Sequence, residues 1–146
     1  MIEKLGGLLM NRRKSREIAM KLLFEMSINK ENYEDIIENF KEHTDADLQE
    51  IDMSYITKVL AGIHENGKEI DKNIEKHLIK WKLNRLSKMN LAILRISTYE
   101  ILFEDDIPDK VSVNEGIELA KKYGEDSSPA FINGILAKMI KNDEIN

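Results

Sequence analysis

Along nearly the whole chain, apolar residues recur three and four positions apart, a period that predicts helices. Ile18, Ala19, Leu22, Leu23 and Met26 put an apolar stripe on a first helix, with Asn11 as its expected N-cap. On a 100° wheel, Met20 and Phe24 fall opposite that stripe, close in angle to Arg13. They are expected to form a second contact surface or to be covered by another helix of the protein. After the polar turn "NKEN", Tyr33, Ile36, Ile37 and Phe40 mark a second helix. "TDAD" follows, with Thr44 or Asp45 as the expected cap of a long periodic stretch. That stretch carries Leu48, Ile51, Tyr55, Ile56, Val59, Leu60 and Ile63, then Ile70, Ile74 and Leu78. Gly62 and Gly67 are its weak points, and a break is expected near "KWKLN", where Trp81 reads as a core anchor.

The next segment, "RLSKMNLAILRISTYEILFE", is apolar around most of its circumference, which is the pattern of a helix at the centre of a bundle. Arg95 and Tyr99 share one face of it, and a buried Arg–Glu arrangement with Glu100 is expected to fix its packing. A loop around Pro108 leads to "SVNE", a capping-box pattern at Ser112 to Glu115. The helix it opens should stop at Gly124 as a left-handed C-terminal residue. Ser128-Pro129 should restart helix, with serine as N-cap and proline at the first helical position. Asn114 and Asn133 are expected to hydrogen-bond near helix starts. With only two prolines and seven glycines to interrupt it, the chain reads as all-α, with six or seven helices.

Composition narrows the class. At 146 residues, with 42% hydrophobic and 34% charged residues, the chain can bury a real core as one domain. It has no cysteine, so neither disulfides nor thiolate metal sites arise, which suits a reducing cytoplasm. No apolar run approaches the roughly 20 residues that span a bilayer, so no membrane role is expected. "MIEKLGGLL" lacks the apolar core of a signal peptide. Gly6-Gly7 is what a GGAGGT-type ribosome-binding sequence would encode in frame, two codons ahead of Met10. Residues 1–9 are therefore expected to be an upstream extension, with Met10 the natural start and 10–146 a single helical domain.

Charge changes the picture more. The net charge is −5, yet Arg12, Arg13, Lys14 and Arg16 put four positive charges into five positions, and three of the chain's five arginines sit there. Placed in the first turn of a helix, they would oppose the macrodipole, at about 0.3–1 kcal/mol each. Local stability does not select such an arrangement, whereas a polyanion does. Arginine offers a planar fork for phosphates and stacks on unpaired bases. The plainer alternative is a solvated basic surface paired with acidic helices.

Catalytic readings find little to stand on. His43, His64 and His77 are scattered, and His64-Glu65 is followed by Lys68, so no HExxH zinc pair exists. The acid pairs Asp45/Asp47 and Asp105-Asp106 fall in loops as cap-like residues. No glycine-rich phosphate loop occurs. An enzyme is not expected, and neither is a metal or cofactor.

Four blocks then join into one pattern. "RRKSREIAMKLLFEM", "MNLAILRISTYEILF", "IPDKVSVNEGIELAKKYG" and "FINGIL", in this order and spacing, resemble the NusB family of bacterial transcription antitermination factors. The resemblance runs from Met10 to about Asn142. It implies two packed three-helix subdomains and no catalytic activity. It also implies a protein that, with the small-subunit ribosomal protein NusE, binds boxA-type single-stranded RNA. Through the other Nus factors that complex would act on RNA polymerase and suppress termination, chiefly in ribosomal RNA operons.

Carried over by position, the resemblance makes Arg12, Arg13, Lys14 and Arg16 RNA contacts, together with Tyr123, Ser127 and Phe131 around "YGEDSSPAF". The NusE-facing surface would include Phe24 and Asn90, although Asn90 is uncharged where a carboxylate would make the stronger contact. The "EDSSP" turn is variable in kind within the family. Two other functions compete: a protein-interaction adaptor whose basic helix docks an acidic partner, and an accessory subunit of an RNA-modifying enzyme. Some family members self-associate, and a homodimer that buried the arginine-rich helix would hide the RNA site.

Overall fold

The computed structural model describes the backbone of residues 2–80 and 82–145 and the side chains of residues 11–80 and 82–141; Trp81, expected as a core anchor, lies outside them. The described residues form seven α-helices and two short 3-10 turns, with no strand. They divide into two compact units, Met1–His64 and Glu65–Asn146.

The first unit holds α1 (Ile2–Asn29), α2 (Tyr33–His43) and α3 (Met53–Glu65), with a 3-10 turn at Leu48–Glu50. Asn11 is not an N-cap, because α1 runs continuously from Ile2 through it. In this chain the basic cluster therefore lies well past the first turn, where the dipole effect has faded, whereas in a chain beginning at Met10 it would lie in the first turn. The buried arc of α1 is also turned about 45° from the expected stripe, at 3.6 residues per turn. Ser15, Arg16, Ala19, Met20, Leu22 and Leu23 are buried, whereas Ile18 and Met26 are only half-buried. Met20 is thus a core residue at 0% exposure, and of the expected second face only Phe24 stays partly open. Ile36, Ile37, Ile51, Tyr55, Ile56, Val59, Leu60 and Ile63 are the unit's other buried apolar residues.

Helix caps fall later than "TDAD" suggests. Asn32 caps α2 by accepting from Asp35 N, and Thr44 ends that helix. Asp47 caps the 3-10 turn, and the Asp52 carboxylate accepts from Tyr55 N at 3.0 Å at the start of α3. The long periodic stretch is two helices, because Asn66 interrupts it immediately before Gly67.

The second unit holds α4 (Gly67–Lys76), a 3-10 turn at Leu83–Arg85, α5 (Lys88–Phe103), α6 (Asp109–Tyr123) and α7 (Ser128–Ile145). It has four helices where the resemblance implies three. Helix α5 packs against α4, α6 and α7, and its buried run Ala92, Ile93, Leu94, Ile96–Glu100 passes right round the helix, as its composition predicts. Several polar groups along it are paired, although the buried Thr98 hydroxyl has no hydrogen-bond partner. Arg95 reaches Asp71 of α4 through two bonds of 2.9 Å, not Glu100. The fully buried Glu100 instead accepts from the Ser112 hydroxyl at 2.8 Å, and Tyr99 donates to Glu104 at 2.8 Å.

Ser112 therefore bonds to α5 and does not open α6, which starts at Asp109 after Pro108. Gly124 ends α6 in extended backbone, φ −90° and ψ −175°, not in the left-handed region. Its glycine is required by space, since a Cβ there would lie 2.6 Å from Ser128 Cβ and 2.8 Å from the Ala120 carbonyl oxygen. Ser128 is the first residue of α7, and its hydroxyl accepts from Glu125 N at 3.0 Å, so Pro129 is second in the helix. Asn114 and Asn133 are exposed within α6 and α7.

Candidate nucleic-acid interface

In the first unit, the four basic residues fall into two pairs. Arg12 and Arg16, one turn apart, lie on the inner side of α1, and both guanidinium groups stand over the Tyr55 ring of α3, at 4.6 and 5.7 Å from its centroid. Arg16 is 3% exposed, so it supports the helix from within. The Arg12 side chain is 38% exposed and also approaches the Asp52 carboxylate at 3.4 Å. Ser15, between them, accepts from Asp52 N at 2.8 Å and donates to the Asn11 carbonyl. These bonds hold the start of α3 against α1 and limit where the Arg12 fork can point. Arg13 and Lys14 lie on the outer side and are exposed, Lys14 with Glu50 at 3.9 Å.

The chemistry follows from that split. Arg13 and Lys14 offer charge to solvent, Arg12 offers a guanidinium already oriented by an aromatic ring and a carboxylate, and Arg16 is a packing residue. A stacked, ion-paired arginine loses less freedom on meeting a phosphate or base than a free one does. Phe24, three turns further along, is half-buried, and its carbonyl accepts from the Ser27 hydroxyl at 2.6 Å.

In the second unit, three sequence-named residues converge. Ser127 and Phe131, at the start of α7, and Asn90, in the first turn of α5, line one cavity of about 370 Å3 together with Arg85, Ser87 and Glu125. Ser87 caps α5 by accepting from Asn90 N at 3.0 Å, which sets Asn90 in place. The Asn90 side-chain oxygen is buried and has no hydrogen-bond partner. Phe131 is half-buried, Ser127 is exposed, and Arg85 and Glu125 put opposite charges on the same cavity. An aromatic wall, a hydroxyl, a cation and a carboxylate together suit a flat heterocycle with polar edges. Tyr123 stays outside this cavity, half-buried at the end of α6, with the Lys122 ammonium 5.4 Å from its ring.

The roles of Tyr55, Asp52 and Ser15 as supports of the basic cluster, and of Arg85 and Glu125 as cavity residues, leave little trace in the sequence. The Asp-x-x-Tyr spacing of a cap was visible at Asp52, and Arg85 was one of five arginines, but their partners are set by tertiary structure. Among the described residues no group of three or more His, Asp or Glu side chains converges to hold a metal ion. None of the described helices is long and apolar enough to cross a membrane.

Comparison with known proteins places this architecture. The chain matches the NusB family over residues 13–141. It is 66% identical over 132 residues to the transcription antitermination protein NusB of Clostridium novyi (strain NT), covering 90% of this chain and 99% of that protein. Its fold is similar to that of NusB from T. maritima, with a TM-score of 0.80 and 39% identity, covering 89% of this chain and 90% of the other. It also resembles a chain from a crystal structure of the antitermination factors NusB and NusE in complex with double-stranded RNA, with a TM-score of 0.74, 25% identity, and coverage of 90% and 97%. The match takes in α5, α6, the turn before α7 and the basic helix from Arg13 onward, and the chain belongs to the NusB family of transcription antitermination proteins, which are not enzymes.

Proposed function

We propose that the protein, together with NusE, recognises boxA-type single-stranded RNA and promotes read-through by RNA polymerase, chiefly of ribosomal RNA operons. The observation that carries the reading is the exposed pair Arg13–Lys14 beside an Arg12 oriented by Tyr55 and Asp52. A structural neighbour solved with NusE and double-stranded RNA supports NusE and RNA as the partners. Arg13 and Lys14 supply phosphate contacts, and Arg12 reads or clamps a phosphate or base. The cavity lined by Ser127 and Phe131 takes an unstacked base, and Asn90, which borders it, faces NusE. Phe24 and the neighbouring surface of α1 face NusE. Polymerase is reached through the other Nus factors, and recognition, not chemistry, is this chain's contribution.

The test compares a boxA-type RNA with a scrambled RNA of equal length, with and without NusE, across a salt series. Arg13→Ala/Lys14→Ala is the control variant, because both side chains are exposed and their loss leaves the fold intact. Preference for the boxA-type RNA that strengthens with NusE and fades in the variant is the expected result. Equal binding of both RNAs would leave α1 as a protein-docking or homodimer surface. Sedimentation without RNA distinguishes those two, and copurification with an RNA-modifying enzyme would mark an accessory subunit.

A further inference from the structure

Phe131 lines two cavities. Besides the polar one, it borders an apolar groove of about 300 Å3 formed by the segment after α4 and by α7, in which Ile79, Lys80, Gly134 and Lys138 also take part. Ile79 is 79% exposed, far more than a large apolar side chain in a packed segment. Nothing lies within 4 Å of where a Cβ on Gly134 would be, so the α7 side of the groove is open. Lys80 and Lys138 are exposed at its edge and put two cations there. His77, buried at the end of α4, holds the Asn73 carbonyl at 2.8 Å through Nδ1, which fixes that end of the groove.

An apolar slot with an aromatic wall and a cationic rim is what a nucleotide needs. The base lies on the apolar side chains and the phosphate meets the ammonium groups. An acidic peptide with an apolar anchor meets the same charge rule. Continuity decides for RNA: the groove shares Phe131 with the cavity lined by Arg85, Ser127 and Glu125, which suits a base with polar edges. We propose that Ile79, Lys80 and Lys138 form a second nucleotide subsite, so that a single strand passes over Phe131 with one base in the polar cavity and the next in the apolar groove. This rests on the RNA-binding reading above and deepens it. Base identity is read on the polar side, and the groove accepts any base, because stacking is indifferent to base edges.

The experiment uses the full chain with NusE and measures affinity for the boxA-type RNA and for versions trimmed by one or two nucleotides from each end. The variants are Lys80→Ala/Lys138→Ala, Ile79→Ser and, as reference, Arg13→Ala, each checked for folding by circular dichroism. Expected for the lysine pair is a loss of about fivefold or more, and a salt slope shallower by about 0.7 per lost phosphate contact. Trimming one end should cost the wild type but neither the lysine variant nor Ile79→Ser, and Ile79→Ser should weaken the untrimmed RNA whichever base fills the groove. If the lysine and isoleucine variants bind like wild type while Arg13→Ala is impaired, the subsite is overturned and the RNA reading stands. If the wild type itself shows no preference for the boxA-type RNA, the RNA reading fails. An acidic peptide with a single tryptophan, titrated by NMR, gives the competing result: peptide shifts at Ile79 and Lys138 with none from RNA would assign the groove to a protein and overturn the proposal.

Discussion

Asp52 serves three bonds at one position. Its backbone N–H donates to Ser15, its Oδ1 accepts from Tyr55 N, and its Oδ2 faces Arg12 at 3.4 Å. Asparagine keeps the first two and removes the charge. Asp52→Asn is therefore expected to change stability by under about 0.5 kcal/mol, since the ion pair is partly exposed, whereas Asp52→Ala loses the cap and costs about 1 kcal/mol. Urea denaturation of the two variants side by side checks this. Tyr99 makes a second residue-scale case. Burial, then its bond to Glu104 and the negative charge of Glu104, Glu100 and Glu65, pushes its hydroxyl well above the ordinary value of 10.0. The folded protein holds that proton more tightly than the unfolded chain does. The stability involved is intact below pH 10 and is lost as pH rises beyond it. Tyr99→Phe is expected to cost about 1 kcal/mol at neutral pH, by leaving Glu104 without this donor, and to flatten the alkaline fall in melting temperature.

At the scale of elements, Gly116 shows how tightly α6 meets its neighbours. A Cβ there would lie 2.6 Å from Ser97 Oγ of α5 and 3.3 Å from Leu136 Cδ1 of α7. Gly116→Ala gains about 1 kcal/mol of helix propensity but forces two packed helices apart, and a net loss of about 1–3 kcal/mol is expected. Adding Ser97→Ala should recover part of it, as thermal melts of the single and double variants will show. Such contacts explain what the sequence made legible. The periods of α2, α3 and α5 were readable because burial leaves an apolar rhythm in the residues themselves. On α1 the rhythm misled, since Ser15 and Arg16 are buried through bonds and ring contacts that hydropathy does not register. Ser112 and Gly124 matched local capping rules, yet their roles are set by Glu100 and Ser128, which lie beyond the window those rules see.

Across the molecule, the balance of charge limits how RNA can be held. Taking the four cations of the basic cluster from a net −5 leaves −9 on the remainder, so most of the surface repels a polyanion. Binding should rest on a few phosphate contacts. A slope of log affinity against log salt between about −2 and −4 is expected for the wild type, at roughly −0.7 per phosphate on a single strand. Fluorescence anisotropy from low to moderate salt measures it. Exposed Arg13 and Lys14 could be picked from the sequence alone. Ser127, Phe131 and Asn90 were reached only through resemblance to a family, because nothing local links positions so far apart to one cavity.

The bond from Asp52 to Ser15 spans 37 residues of chain. A contact that closes so long a loop forms only once both of its helices are in place. The orientation of Arg12 is therefore a product of tertiary structure and does not belong to the basic helix as such. A synthetic peptide of residues 11–29 carries every charge of the cluster and none of this order. It should bind RNA at low salt without regard to sequence, and whatever discrimination the intact protein adds measures what the fold does to a string of arginines.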